Sequence, residues 1–221
     1  MFFLPIFIDN LLEFIFPSKM ECVYCKALIE RPFVCKKCKD ELSTQKADNH
    51  QKRTAISQKI YSCYYYDDMV KSIIISYKYK ANSSLYIYLA KEITKMIKEN
   101  NIQADIITYV PLHKRKKSQR GFDQSARLAM GISYLSGIPF KKTLIRKKYT
   151  QQQAMLDTKM REQNVKNAFT LKIDKKLSKK SVIIIDDIVT TGSTLNACIK
   201  MLVQSDAKII IPITFASTKF K

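Results

Sequence analysis

The sequence predicts an α/β protein, a parallel sheet flanked by helices on both faces, carrying a small four-cysteine module at its N-terminal end. Three observations predict it. Two unbroken Ile/Val-rich runs, KKSVIIIDD (179–187) and KIIIPITFAS (208–217), bracket the helical stretch TGSTLNACIKMLVQSDA. Strand–helix–strand with no polar alternation in the strands means parallel neighbours buried on both faces. Four of the six cysteines fall as Cys22-x2-Cys25 and Cys35-x2-Cys38, nine residues apart. Finally, 221 residues with 46% hydrophobic and 26% charged side chains can bury a core, which excludes a generally disordered chain. Four Gly and six Pro exclude a collagen-like chain, and no apolar run reaches the roughly 18 residues a spanning helix needs.

The elements follow in chain order, with predicted boundaries at 1–20 (apolar helix), 21–46 (four-Cys module), 47–58 (polar connector) and 59–221 (the α/β domain). In MFFLPIFIDNLLEFIFP the large apolar residues fall near one face, as for a short helix docked on the rest of the protein. Shallow attachment to a membrane surface is the other reading, weakened by the scarcity of Lys beside the aromatics. The segment has no basic start or small-residue cleavage site, so a secretory signal is not expected. Two cysteine knuckles bring four thiolates to one point, the ligand set of a tetrahedral structural Zn²⁺. Two disulfides, a redox dithiol or an Fe–S cluster are the alternatives, and disulfides need an oxidising compartment. Cys63 and Cys198 lack such spacing and read as buried apolar residues.

KIYSCYYYDD reads as a strand, with Asp67 and Asp68 where a helix begins. MVKSIIISYKYK is a short apolar helix or turn. SSLYIYLAKEITKMIKEN is a helix that Ser83 or Ser84 can cap. DIITYVP is a buried strand halted by Pro111, LHKRKKSQRG a basic loop, and FDQSARLAMGISYLSG a helix ended by Gly137. TLIRKK is a short strand and TKMREQNVKNAF a helical stretch.

Chemistry concentrates in VIIIDDIVTTGST, residues 182–194. A strand ending at Asp186, a short loop and a helix starting near Ser193 put unpaired N–H groups and the positive helix end at the carboxyl edge of a sheet, where open α/β folds bind ligands. Gly192 lets the backbone approach an anion, and the hydroxyls of Thr190, Thr191, Ser193 and Thr194 can donate to it, making a monophosphate nest. The Gly-Lys-Ser/Thr ending of a triphosphate P-loop is absent. Asp186 and Asp187 can accept hydrogen bonds from paired hydroxyls or hold Mg²⁺ through water. Phosphate at one end and a diol beside it describe a ribose 5-phosphate.

This segment resembles the 13-residue phosphoribosyl diphosphate (PRPP) motif of type I phosphoribosyltransferases. A wider resemblance runs from the four-Cys module through VPLHKRKKSQRGFDQSARLA and RKKYTQQQAMLDTKMREQNVKNAF to the PRPP motif, and is to the ComF family of competence proteins, ComFC/GntX type. The family's RGFNQ stands here as Arg120, Gly121, Phe122, Asp123 and Gln124, with a charge where an amide is usual. Arg146, Thr150, Gln153, Arg161, Asn164 and Phe169 keep the family's order. The resemblance implies a type I phosphoribosyltransferase fold, acids on the ribose hydroxyls, the Thr190–Thr194 turn on the 5′-phosphate and Mg²⁺ on the diphosphate. It further implies natural transformation and cytoplasmic handling of imported single-stranded DNA, beside the inner-membrane uptake machinery.

The basic segment after Pro111 supplies His113, Lys114, Arg115, Lys116, Lys117 and Arg120 at the same sheet edge. His113 and Lys114 are expected at the diphosphate, and Arg120 is expected to reach it as diphosphate leaves. The chain carries 39 bases and 19 acids, a formal +20; residues 114–180 hold 19 of the bases and 4 of the acids. That concentration points to a polyanion such as single-stranded DNA, with Lys114, Arg115, Lys116, Lys117, Arg146, Lys147 and Lys148 as its contacts; an AT-rich genome's bias toward Lys is the bland alternative. A salvage phosphoribosyltransferase acting on a small molecule and a PRPP-sensing regulator remain as other readings. Salvage enzymes place a base-binding segment after the last strands. With the final strand a few residues from Lys221, a base hood is expected from the N-terminal half.

Overall fold

The computed structural model describes residues 20–29, 33–47, 59–79, 85–147, 168–172 and 177–218. The apolar segment before Met20, most of the connector, Ser83, Ser84, Lys148, and residues 149–167 with Thr150, Gln153, Arg161 and Asn164 lie outside the described residues.

The predicted parallel sheet forms from β3 (Tyr61–Tyr65), β4 (Ile106–Tyr109), β7 (Ser181–Val189) and β8 (Ile209–Ser217), all parallel, in the order β3-β8-β7-β4. The two longest apolar runs pair at the centre, where both faces of a strand are buried. Side chains alternate along β7. Ile183 and Ile185 enter a core shared with α2 (Asp68–Tyr79), α3 (Leu85–Glu99) and α5 (Gln124–Ser136). Val182 and Ile184 enter a second core with α6 (Ser193–Gln204) and the antiparallel hairpin of β5 (Leu144–Arg146) and β6 (Phe169–Leu171). Helices after β4 and β7 thus depart to opposite faces, opening a crevice at the carboxyl ends of those two strands. On the first face, α3 and α5 meet at Gly131, where a Cβ would stand 3.1 Å from both the Ala90 Cβ and the Tyr86 ring.

Three expectations need correction. β7 does not end at Asp186; β8 continues to offer partners, pairing Asp186 with Thr214 and Val189 with Ser217, so the strand holds for three more residues. The basic segment is not a loop but helix α4 (Lys114–Arg120): His113 Nδ1 accepts from Arg115 N at 3.2 Å as its cap, and Lys, Arg and Gln are good helix formers. Phe169 begins a strand rather than closing a helix.

Helix α2 lies across the carboxyl edge of the sheet. It starts directly after β3, where Asp67 Oδ1 accepts from Val70 N at 2.7 Å, and its far end reaches β7 and the start of α5, where Tyr77 Oη donates to Gln124 O at 2.6 Å. Twelve residues span about 18 Å, enough to cross β8 on the way.

The cysteine module consists of β1 (Met20–Glu21) paired antiparallel with β2 (Leu28–Ile29), and α1 (Lys36–Ser43). Its Cys22, Val23, Phe33, Cys38 and Leu42 belong to the first core, with Tyr64, Ile73 and Leu89. The chain beyond α1 pairs with β3: Tyr65 N donates to Gln45 O at 2.8 Å and Ala47 N to Cys63 O at 3.1 Å. The module therefore covers a sheet edge that would otherwise present unpaired backbone. Cys63 and Cys198 are buried, as expected. No helix among the described residues is long and apolar enough to cross a membrane.

Candidate functional site

β4 ends its pairing with β7 at Tyr109–Ile185, so the last four residues of β7 overhang the crevice. Asp186 and Asp187 are the first two of them. Because consecutive strand residues face opposite ways, the acids straddle the strand instead of standing side by side. Asp187 lies on the α2 face and is buried. Asp186 lies toward α6 and β5, within electrostatic reach of Arg146 and Cys198. Its Oδ1 accepts from Ser125 Oγ in the first turn of α5, and from Asp187 N, both at 3.0 Å.

Asp187 has a partner that the motif did not foretell. Lys78 Nζ, near the end of α2, stands 2.9 Å from Asp187 Oδ2, with the two side chains 15% and 5% exposed. By distance this is an ion pair. Burial alone would lower the Lys78 ammonium, but Asp187, aided by Asp186, outweighs it and holds the group above its ordinary value. Asp186 shows the reverse: burial, then the neighbouring Asp187 charge, push its carboxyl up to about 7 against the pull of Lys78 and the Ser125 hydroxyl.

Beyond Val189 the chain turns through Thr190, Thr191 and Gly192 into α6. Gly192 takes φ +79°, a conformation L side chains rarely adopt, and caps the helix with no side-chain hydrogen bond. Thr191 Oγ1 and Ser193 Oγ stand 2.9 Å apart. The turn exposes Thr190 and Thr191, with Ser193 and Thr194 half-buried at the helix start. Helix N–H groups and hydroxyls thus meet within a few residues of Asp186.

The cations converge from three elements, α2, α4 and β5. Burial, then Arg146, Arg120 and Lys78, hold the Lys116 ammonium below its ordinary value, so these bases lie within electrostatic reach of it. Burial likewise lowers Arg146, against the attraction of Cys198 and Asp186; its guanidinium lies 5.1 Å from the centroid of the Phe169 ring. Arg120 packs on Tyr79 at the end of α2, 4.8 Å from the ring centroid, with Nη2 donating to Tyr79 Oη at 2.9 Å. His113 caps α4, while Lys114, Arg115 and Lys117 are exposed along it and Lys147 is exposed after β5. Lys117 and Lys142 both act on Asp123, so α4 and the approach to β5 share one side of the molecule.

Asp123, at the family's usual Asn position, has a structural use for its charge. Oδ1 caps α5 from Ala126 N at 3.3 Å and Oδ2 accepts from Leu112 N at 3.2 Å. A carboxylate accepts at both oxygens, whereas an amide would turn a donor toward one of those N–H groups.

In the cysteine module the four Sγ atoms lie within 4.8 Å of one another. Cys25 Sγ and Cys35 Sγ are 3.6 Å apart, close to the roughly 3.8 Å edge of a tetrahedron with Zn–S bonds of about 2.3 Å. Cys35 N points to Cys22 Sγ and Cys38 N to Cys35 Sγ, both at 3.4 Å, as N–H groups do around bound thiolates. Although burial raises the Cys22 thiol, the Cys35, Cys25 and Tyr24 amides bring it down to about 6. The donor set fits structural zinc. Among the described residues it is the one cluster of three or more such ligands.

The phosphoribosyl transferase domain family matches residues 112–219, from the start of the basic segment through β8. Competence protein F of Haemophilus influenzae is 29% identical over 191 residues, 82% of this chain and 83% of that one. The DNA utilization protein YhgH of Escherichia coli is 35% identical over 104 residues, 47% of this chain and 45% of that one. Among solved structures, a purine phosphoribosyltransferase from Pyrococcus horikoshii is 20% identical with a TM-score of 0.40, over 62% of this chain and 77% of that one. The fold, the four-cysteine cluster and these relatives agree: the chain is similar over most of its length to a competence protein, which supports the ComF resemblance, and it carries a phosphoribosyltransferase-like α/β domain.

Proposed function

We propose that the protein works in DNA uptake and use, binding PRPP with Mg²⁺ at the crevice and single-stranded DNA on its basic side, from the cytoplasm. One observation carries the pocket: an acid pair at the carboxyl end of the central strand, next to a glycine turn that opens a helix, with Lys78, Lys116, Arg120 and Arg146 in electrostatic reach of one another. The N–H groups and hydroxyls of residues 190–194 hold the 5′-phosphate, and Asp186 accepts from the ribose hydroxyls. Lys116 and Arg146 face the departing diphosphate, whose charge they offset. Mg²⁺, bound through the diphosphate, adds further neutralisation.

The DNA reading rests on the exposed bases of α4 and on Lys141, Lys142 and Lys147, and on the names borne by the relatives. Two titrations test the proposal. Mg²⁺-PRPP binding followed by calorimetry should weaken at least tenfold in Asp186→Asn; unchanged binding removes the pocket. Binding of a fluorescent oligodeoxynucleotide should fall roughly 300- to 10,000-fold between 50 and 200 mM salt for about 6 to 10 phosphate contacts on a single strand. An absence of binding at 50 mM salt removes the DNA reading and leaves a small-molecule phosphoribosyltransferase.

A further inference from the structure

Helix α2 reaches across the carboxyl edge of the sheet and ends beside the crevice. Its last residue, Tyr79, is 66% exposed. An exposed ring is ordinarily free to move, but this one is fixed from a second element at two points: the Arg120 guanidinium over its face and the Arg120 Nη2–H on its hydroxyl. One turn back, Ile75 adds apolar surface, 41% exposed, on the same helix face. The residue before the ring, Lys78, is the one paired with Asp187. A pinned, accessible aromatic ring backed by a guanidinium is what a flat π-ligand stacks on, and the guanidinium adds its own attraction.

We propose that Tyr79 and Arg120 form a stacking platform for a nucleobase, placed so that the base's sugar and phosphate lead into the Asp186–Thr194 cradle. The inference rests on the phosphate–ribose reading of that cradle and adds the acceptor side. The base can belong to a strand of DNA or to a free mononucleotide; the chemistry recognised is the same.

The chain has no tryptophan, so Tyr79→Trp installs a single reporter at the platform. Tyr134→Trp serves as the control, and both positions are exposed enough for the fold to tolerate the change. Each variant is titrated with oligothymidylate, an abasic oligomer of equal length, adenosine monophosphate and ribose 5-phosphate. The expected result is quenching of Tyr79→Trp by ligands that carry a base and not by their baseless counterparts, with Tyr134→Trp unaffected. Tyr79→Ala should weaken binding of the same ligands about 5- to 150-fold per stacked base. Quenching by the oligomer alone assigns the platform to strands. Quenching by the mononucleotide alone assigns it to a small acceptor and removes the DNA reading. Equal responses to base-bearing and baseless ligands, or no response together with an unaltered Tyr79→Ala affinity, overturn the platform. If Asp186→Asn still abolishes PRPP binding in that case, the cradle stands without it.

Discussion

The two adjacent acids of the PRPP motif should answer the same isosteric substitution with opposite signs. Asp187→Asn strips the buried Lys78 ammonium of its partner at 2.9 Å. Breaking one side of a buried pair costs about 3–5 kcal/mol. Asp186 is close enough to take over part of the pairing once the Asp187 charge that suppresses its ionisation is gone, so the lower end, about 3 kcal/mol, applies. For a chain of this size that is roughly a 6–12 °C fall in Tm. Asp186→Asn does the reverse. The Asp186 carboxyl titrates near 7 in the fold, above its ordinary value of 3.8. The fold therefore holds that proton more tightly than the unfolded chain does, and stability is lost as pH climbs from about 4 through 7. Asn removes the loss, so Asp186→Asn should melt above wild type at pH 8 and match it near pH 4. Thermal melts by circular dichroism at pH 4.5, 6 and 8, with zinc in the buffer, separate the cases. Adding Lys78→Met to Asp187→Asn should restore most of the lost stability, because the orphaned charge goes with it. If Asp187→Asn melts with wild type, or Lys78→Met fails to rescue it, the ion pair is not what the geometry indicates.

Two further outcomes follow from the packing. Chelating the metal should lower the melting of the whole protein in one transition, because Cys22, Cys38 and Leu42 share a core with the sheet and residues 45–47 pair with β3; an unchanged sheet transition beside a lost module transition would contradict this. Asp123→Ala removes an α5 cap and the acceptor of Leu112 N, and should cost about 1–2 kcal/mol in a urea titration; a loss below 0.5 kcal/mol would show that the charge at this position is idle.

How much of this was legible in the sequence depends on whether the information is contiguous. Strand, acids, small-residue turn and helix in 181–204 sit on one stretch of chain, so periodicity and the known exposure of strand carboxyl ends were enough to place them. The point where β7 stops was misjudged because it is fixed by β8, whose last residues keep the ladder running past the acids. The helical state of 114–120 was missed for a different reason: polar residues on every side show no hydrophobic period, and the cap is a histidine, an uncommon one. Lys78 left a subtler trace. Val70, Ile73, Ile74 and Tyr77 mark the buried stripe of α2, and Lys78, four residues after Ile74, falls on its border. A lysine there must either snorkel outward or meet an acid. The acid it meets is Asp187. The same reasoning applies to any basic residue on the apolar side of a helix that precedes a motif of paired acids: its burial has to be compensated, and the acids nearest the sheet edge are where to look.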